Sequence, residues 1–185
     1  MLDVRDLDLQ GVKLFKPKRH GDERGFFVET FNARTFEAAG LPVSFVQDNL
    51  SLSKEIGTIR GLHYQAPPAQ QGKLIRVAKG RVLDVVVDLR RSSPTFGHHL
   101  TLELTAESLD TLWVPAGFAH GFCTMAADTE VQYKVDNFYS PAHDLGIHWA
   151  DSTLKIDWPL AVAAATLSAK DQKLPPFNPQ ASYFQ

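Results

Sequence analysis

Apolar residues recur at every second position along much of this chain. In "RVLDVVVDLR", Leu83, Val85, Val87 and Leu89 share one face, and Val82, Asp84, Val86 and Asp88 share the other. "HHLTLEL" sets Leu100, Leu102 and Leu104 against His99, Thr101 and Glu103. "EVQYKVD" sets Val131, Tyr133 and Val135 against Gln132, Lys134 and Asp136. Further strand-like runs, separated by turn signals, are "GFFVETF", "VSFVQDN", "TIRGLHYQ", "KLIRVA", "TLWVP" and "HGFCTM". "KLIRVAKGRVLDVVVDL" reads as a hairpin turning at Lys79-Gly80, where glycine permits a positive φ. Helical pattern is sparse. "NARTFEAAGL" predicts a short helix with Asn32 as N-cap and Gly40 at its stop, and "SAKDQKL" a second with Ser168 as cap and Asp171 near its positive end. So many short strands predict an all-β fold, a sandwich, jelly roll or small antiparallel barrel with a few short helices.

Composition narrows the class. The 185 residues suit one domain spanning 1–185, with a proline-rich irregular tail from about residue 174. Hydrophobic residues make up 44% and charged residues 22%, and the formal net charge is −2 with acids and bases interleaved. No basic stripe points to nucleic acid, and no long apolar run points to a membrane span. The start, "MLDVRDLDLQ", has no signal-peptide core, and the lone Cys123 permits no intrachain disulfide. The expectation is a cytoplasmic protein with Cys123 as a core residue.

Small β-barrels often hold a ligand in their interior, so polar residues on apolar strands carry the chemistry. The segments that qualify are "RGLHYQ…QGKLIRV", "VPAGFAHGF" and "EVQYKV". Pro115, Gly117 and His120 resemble the second motif of the cupin superfamily, whose histidine binds a metal. Only His63 and His120 of a cupin ligand set are present, and the ammonium of Lys73 opposes a cation there. The acid–base reading asks less. An imidazole with a pKa near about 6.5 accepts a proton at neutral pH. Tyr133, among inward valines, offers a phenol. Lys73 or Arg60 can stabilise an enolate oxygen. Each residue has a plain structural alternative: a core tyrosine, strand-end charges, a helix-capping Asp171, and packed histidines at positions 98, 99, 143 and 148.

Longer motifs settle a resemblance. "GDERGFFVETF", "FVQDNLSLSKEIGTIRGLHYQAPPAQQGKLIRVAKGRVLDVVVDLR", "SPTFG", "LWVPAGFAHGF", "EVQYKVDNFYSPAHDLGIHW" and "LSAKD" resemble, in order, the dTDP-4-dehydrorhamnose 3,5-epimerase family of the cupin superfamily, from about Gly11 to Pro175. The resemblance implies a cupin-like jelly roll, a homodimer, no metal and no cofactor. It also implies a dTDP-4-dehydro-6-deoxy-D-glucose substrate epimerised at C3 and C5. It assigns His63 as base, Tyr133 as proton donor, Asp171 as the acid orienting His63, and Lys73 to the C4 oxygen. It places Arg24, Glu29, Gln47, Asn49, Arg60, His120, Asp144 and Lys170 on the nucleotide sugar, with Tyr139 stacked on thymine. Strict alternation sets Arg60 and His63 on opposite faces of one strand, which a bulge or bend at Gly61 would reconcile. Phe138-Tyr139 stands where the family commonly has two tyrosines. Relatives that invert only C3 or move the ketone, a metal-dependent cupin, and a non-catalytic sugar binder are the competing expectations.

Overall fold

The computed structural model of the chain describes residues 2–41, 44–159 and 164–185. Its strands, in chain order, are β1 (Asp3–Asp6), β2 (Lys13–Lys16), β3 (Arg19–Asp22), β4 (Gly25–Val28), β5 (Gln47–Ser53), β6 (Ile59–Gln65), β7 (Lys73–Lys79), β8 (Arg81–Asp88), β9 (His99–Thr105), β10 (Thr111–Val114), β11 (Phe118–Thr124), β12 (Thr129–Val135) and β13 (Asp144–Gly146). One sheet runs β1-β2-β10-β7-β12-β5 and the other β13-β6-β11-β8-β9, every pairing antiparallel. They lie face to face as a jelly-roll sandwich. β3 and β4 form a separate two-stranded ribbon.

Alternation explains the layers. Inward residues Ile75, Val77, Val82, Val86, Leu104, Val131 and Phe122 make the central core between the sheets. The other face of β8 is equally apolar, because Val85, Val87 and Leu89 pack under the C-terminal segment with Leu62, Ile147, Leu154 and Phe177. That second buried face accounts for the unbroken apolar run in "VVVDL", since a strand covered on both sides needs no polar face. The outer face of the six-stranded sheet carries a smaller cluster of Phe15, Phe36, Leu74 and Trp113 beneath helix α1 (Ala33–Ala38).

Several expectations hold. Asn32 caps α1, its side chain accepting from the Arg34 and Thr35 amides, and Gly40 follows at φ +83°. The Lys79-Gly80 turn is there, but it is not a hairpin. β7 and β8 belong to different sheets, so Gly80 turns the corner between them. Both strands present apolar residues to the central core, and pairing side by side would leave that core uncovered. The second predicted helix is a single 3-10 turn, Asp171–Lys173, with Lys170 rather than Ser168 at the cap position. Ser168 still accepts the Asp171 amide through its hydroxyl at 3.0 Å. β1, β2, β3 and β13 were not foreseen, being too short to show a period.

Candidate active site

A cavity of about 260 Å³ opens between the sheets, lined by Ser51, Arg60, His63, Lys73, His120, Phe122, Val131, Tyr133, Ser168, Lys170 and Asp171. Its walls come from opposed elements. Ser51 (β5), Lys73 (β7) and Tyr133 (β12) project from the six-stranded sheet. Arg60 and His63 (β6) and His120 (β11) project from the other. The 3-10 turn contributes the buried Asp171.

The bend proposed at Gly61 accounts for Arg60 and His63 sharing this cavity. Phe122 pairs with Arg60 and His120 with His63, so two steps along β11 oppose three along β6. The extra residue shifts the alternation by one, as a bulge does. Only glycine fits there. Gly61 has φ +133°, and a Cβ would sit 2.6 Å from the Gly121 Cα.

His63 Nε2 lies 2.6 Å from Asp171 Oδ1. Burial pushes the Asp171 carboxyl up, but the His63 ring, the Ser168 hydroxyl and the Gly61 backbone outweigh it and hold it below the usual carboxylate range. An ionised Asp171 accepts the Nε2–H, which leaves Nδ1 with the lone pair. Across the cavity, burial raises the Tyr133 phenol, Arg60 pulls it down and Asp144 adds to the rise, so Tyr133 keeps its proton. Burial drags Lys73 down to about 8, against the upward pull of Asp144 and Asp84. Its ammonium donates to the His63 carbonyl at 3.3 Å. Arg60 is fixed by Ser53 and by the Leu52 carbonyl.

His120 sits opposite His63 on the neighbouring strand, and its Nε2 lies 3.0 and 2.9 Å from the two oxygens of the fully buried Asp84. The cavity therefore has two imidazoles, each on its own carboxylate. Among the described residues, no three His, Cys, Asp or Glu side chains converge as a metal-ligand set. Sequence reasoning passed over Asp84. Its signal was a charge in phase with Val82 and Val86, on a face that must be dry.

The other named residues divide. Lys170 and Asp144 form an ion pair at 2.5 Å, and the Tyr139 hydroxyl donates to the same Asp144 oxygen at 2.8 Å, beside the cavity. Gln47 donates to Asn49 at 2.8 Å along β5. Arg24 and Glu29 lie elsewhere. Arg24 is 85% exposed at the tip of the β3–β4 ribbon, paired with Asp22. Glu29 accepts from Asn32 and lines a separate hollow with Lys18 and Phe27. A larger hollow of about 350 Å³ lies on the outer face of the six-stranded sheet around Phe31, Leu50, Arg76, Gln132 and Lys134. It contains neither histidine–carboxylate pair, so the smaller cavity is the candidate site.

Known proteins resemble this chain closely. The family profile described as dTDP-4-dehydrorhamnose 3,5-epimerase matches residues 6–179. The dTDP-4-dehydrorhamnose 3,5-epimerase of Shigella flexneri is 50% identical over 171 residues, 92% of this chain and 93% of that protein. The crystal structure of the Bacillus anthracis dTDP-4-dehydrorhamnose 3,5-epimerase with TDP and PPi bound has a TM-score of 0.93 at 47% identity, covering 96% of this chain and 100% of that one. The Legionella pneumophila dTDP-6-deoxy-D-glucose-3,5-epimerase in complex with dTDP-4-keto-L-rhamnose has a TM-score of 0.89 at 40% identity, covering 96% and 100%.

Proposed function

Because the chain belongs to the dTDP-4-dehydrorhamnose 3,5-epimerase family, we propose that its cavity inverts C3 and C5 of dTDP-4-dehydro-6-deoxy-D-glucose to give dTDP-4-dehydro-L-rhamnose. The observation that carries this reading is the pair lining one cavity, His63 on one sheet and Tyr133 on the other, with Lys73 on the strand beside Tyr133's and its ammonium donating to the His63 carbonyl.

The chemistry follows from the ketone. Protons on C3 and C5 flank the C4 carbonyl, so losing either gives an enolate with its charge on the C4 oxygen. His63 takes the proton, and Asp171 stabilises the resulting imidazolium and fixes the ring. The Lys73 ammonium is the cation for the C4 oxygen, acting in a partly dry site where charge–charge attraction is strong. Tyr133 returns a proton to the opposite face of the ring, and that change of face is the inversion. Arg60 and Lys170 supply cations for the diphosphate, His120 a polar contact to the sugar nucleotide, and Tyr139 the platform for thymine. Gln47 and Asn49 hold the nucleotide side of the cleft.

Arg24 and Glu29 fit this reading only if a second copy of the chain brings them in. We therefore propose a homodimer in which the exposed β3–β4 ribbon crosses to the partner. Its exposed Phe26 and Phe27 support this, because apolar side chains on a projecting ribbon call for a covering surface.

Incubating the protein with the 4-keto sugar nucleotide in deuterated water tests the reaction. Label at both C3 and C5 of an inverted product is the expected result. Label at C3 alone makes the protein a 3-epimerase, and a ketone moved to C3 makes it a ketoisomerase. Iron or zinc lost together with activity would point to a metal-dependent cupin instead. His63→Ala is expected to slow turnover by about 10²–10⁴-fold, the usual contribution of a general base.

A further inference from the structure

The segment that joins β12 to β13 carries Phe138 and Tyr139 on the rim of the cleft and belongs to no strand. Its consecutive amide groups are held by side-chain carboxamides. Phe138 N–H donates to Asn137 Oδ1 at 2.9 Å, Tyr139 N–H to Gln47 Oε1 at 3.2 Å, and Ser140 N–H to Gln65 Oε1 at 2.6 Å. Gln65 also reaches the other side of Tyr139, its Nε2 donating to the Phe138 carbonyl at 3.2 Å and to the Ala69 carbonyl at 2.6 Å. One buried carboxamide thus grips both peptide groups that flank Tyr139. It uses both of its donor hydrogens and its oxygen to do so.

Gln65 lies two residues beyond His63 on β6, so both side chains leave the strand on the same face. The strand that fixes the imidazole also fixes the platform. A loop with no ladder of its own would otherwise sample many backbone states. A buried amide that replaces the ladder removes that freedom before any ligand arrives.

We propose that Gln65 is a positioning residue for nucleobase recognition, acting through Tyr139. This rests on the epimerase reading, in which Tyr139 stacks on thymine. Gln65→Leu keeps the volume and removes all three hydrogen bonds. Gln65→Glu keeps the acceptor for Ser140 and loses both donors.

The test is calorimetric titration of dTDP into wild type, Gln65→Leu, Gln65→Glu, Tyr139→Ala and the Gln65→Leu/Tyr139→Ala double variant, with amide hydrogen exchange across residues 136–143. Gln65→Leu is expected to weaken dTDP binding about tenfold, the order set by losing buried hydrogen bonds. Gln65→Glu sets an acceptor oxygen against the Ala69 and Phe138 carbonyls and is expected to weaken binding at least as much. In turnover, KM rises while kcat changes much less. Exchange quickens at 138–140 but not along β12, which separates local release from misfolding. In the Tyr139→Ala background, adding Gln65→Leu should cost less than about twofold more, because the residue it positions is gone. Equal binding by wild type and both Gln65 variants would overturn the assignment, and so would full losses that multiply in the double variant. A wild-type chain that takes up no dTDP would instead sink the functional reading.

Discussion

At the scale of single residues, burial acts on the cavity's ionisable groups in opposite directions, lowering Lys73 and raising Tyr133. Burial brings Lys73 down to about 8, so the cation proposed for the C4 oxygen is lost as pH rises through that value. The rate of epimerisation should therefore fall above about pH 8, with Lys73 as the titrating group. Asp84 raises Lys73, so Asp84→Asn removes one supporting anion and should move that alkaline limb to lower pH. A kcat–pH profile of wild type and Asp84→Asn reads the shift directly, and an unmoved limb would deny Asp84 the part. Tyr133→Phe takes away the phenol and leaves the imidazole. Proton exchange with solvent should then continue while inverted product drops about 10²-fold. NMR of the sugar in deuterated water separates the two quantities. Taken singly, Tyr133 and Lys73 were as readable as a core phenol and a strand-end charge, and it was the long motifs around them that marked them out. Asp84 was in phase with inward valines, yet it went unnamed beside His120, because a sequence does not show which strands will be neighbours.

The elements explain the rest of what the sequence did and did not reveal. Period-two runs located most of the long strands, since each must bury one face. The same runs could not say which sheet a strand joins. The corner at Gly80 therefore read as a hairpin, and both faces of β8 being apolar was the only hint that a further layer covered it. β6 is the element where one residue matters most. Gly61 supplies the extra step that brings Arg60 and His63 to one side. Gly61→Ala places a Cβ against β11 at a positive φ, so it should destabilise the protein by about 1–3 kcal/mol and cut activity well beyond the loss in folded fraction. Denaturant midpoints measured beside specific activity would show it. Activity that merely tracks folded protein would mean the bulge serves packing alone.

For the whole molecule, the question is what covers the apolar exposed surface. Phe27 on the ribbon is 70% exposed and Leu50 on the edge strand β5 is 61% exposed. A homodimer should appear by light scattering, and subunit mixing tests what the partner contributes. Arg24→Ala and His63→Ala chains are each expected to be impaired. If the ribbon crosses over, a hybrid dimer holds one intact site, so an equal mixture after refolding together should recover about a quarter of wild-type activity. No recovery would confine Arg24 to its own subunit's surface. The sandwich itself has a consequence for tuning. His63 and Tyr133, the proposed acceptor and donor, stand on different sheets, so the gap between them is the thickness of the protein's central layer. Ile75, Val86 and Phe122 act as shims in that gap. Trimming one of them, far from any sugar, would change how well two proton transfers are matched across a single ring.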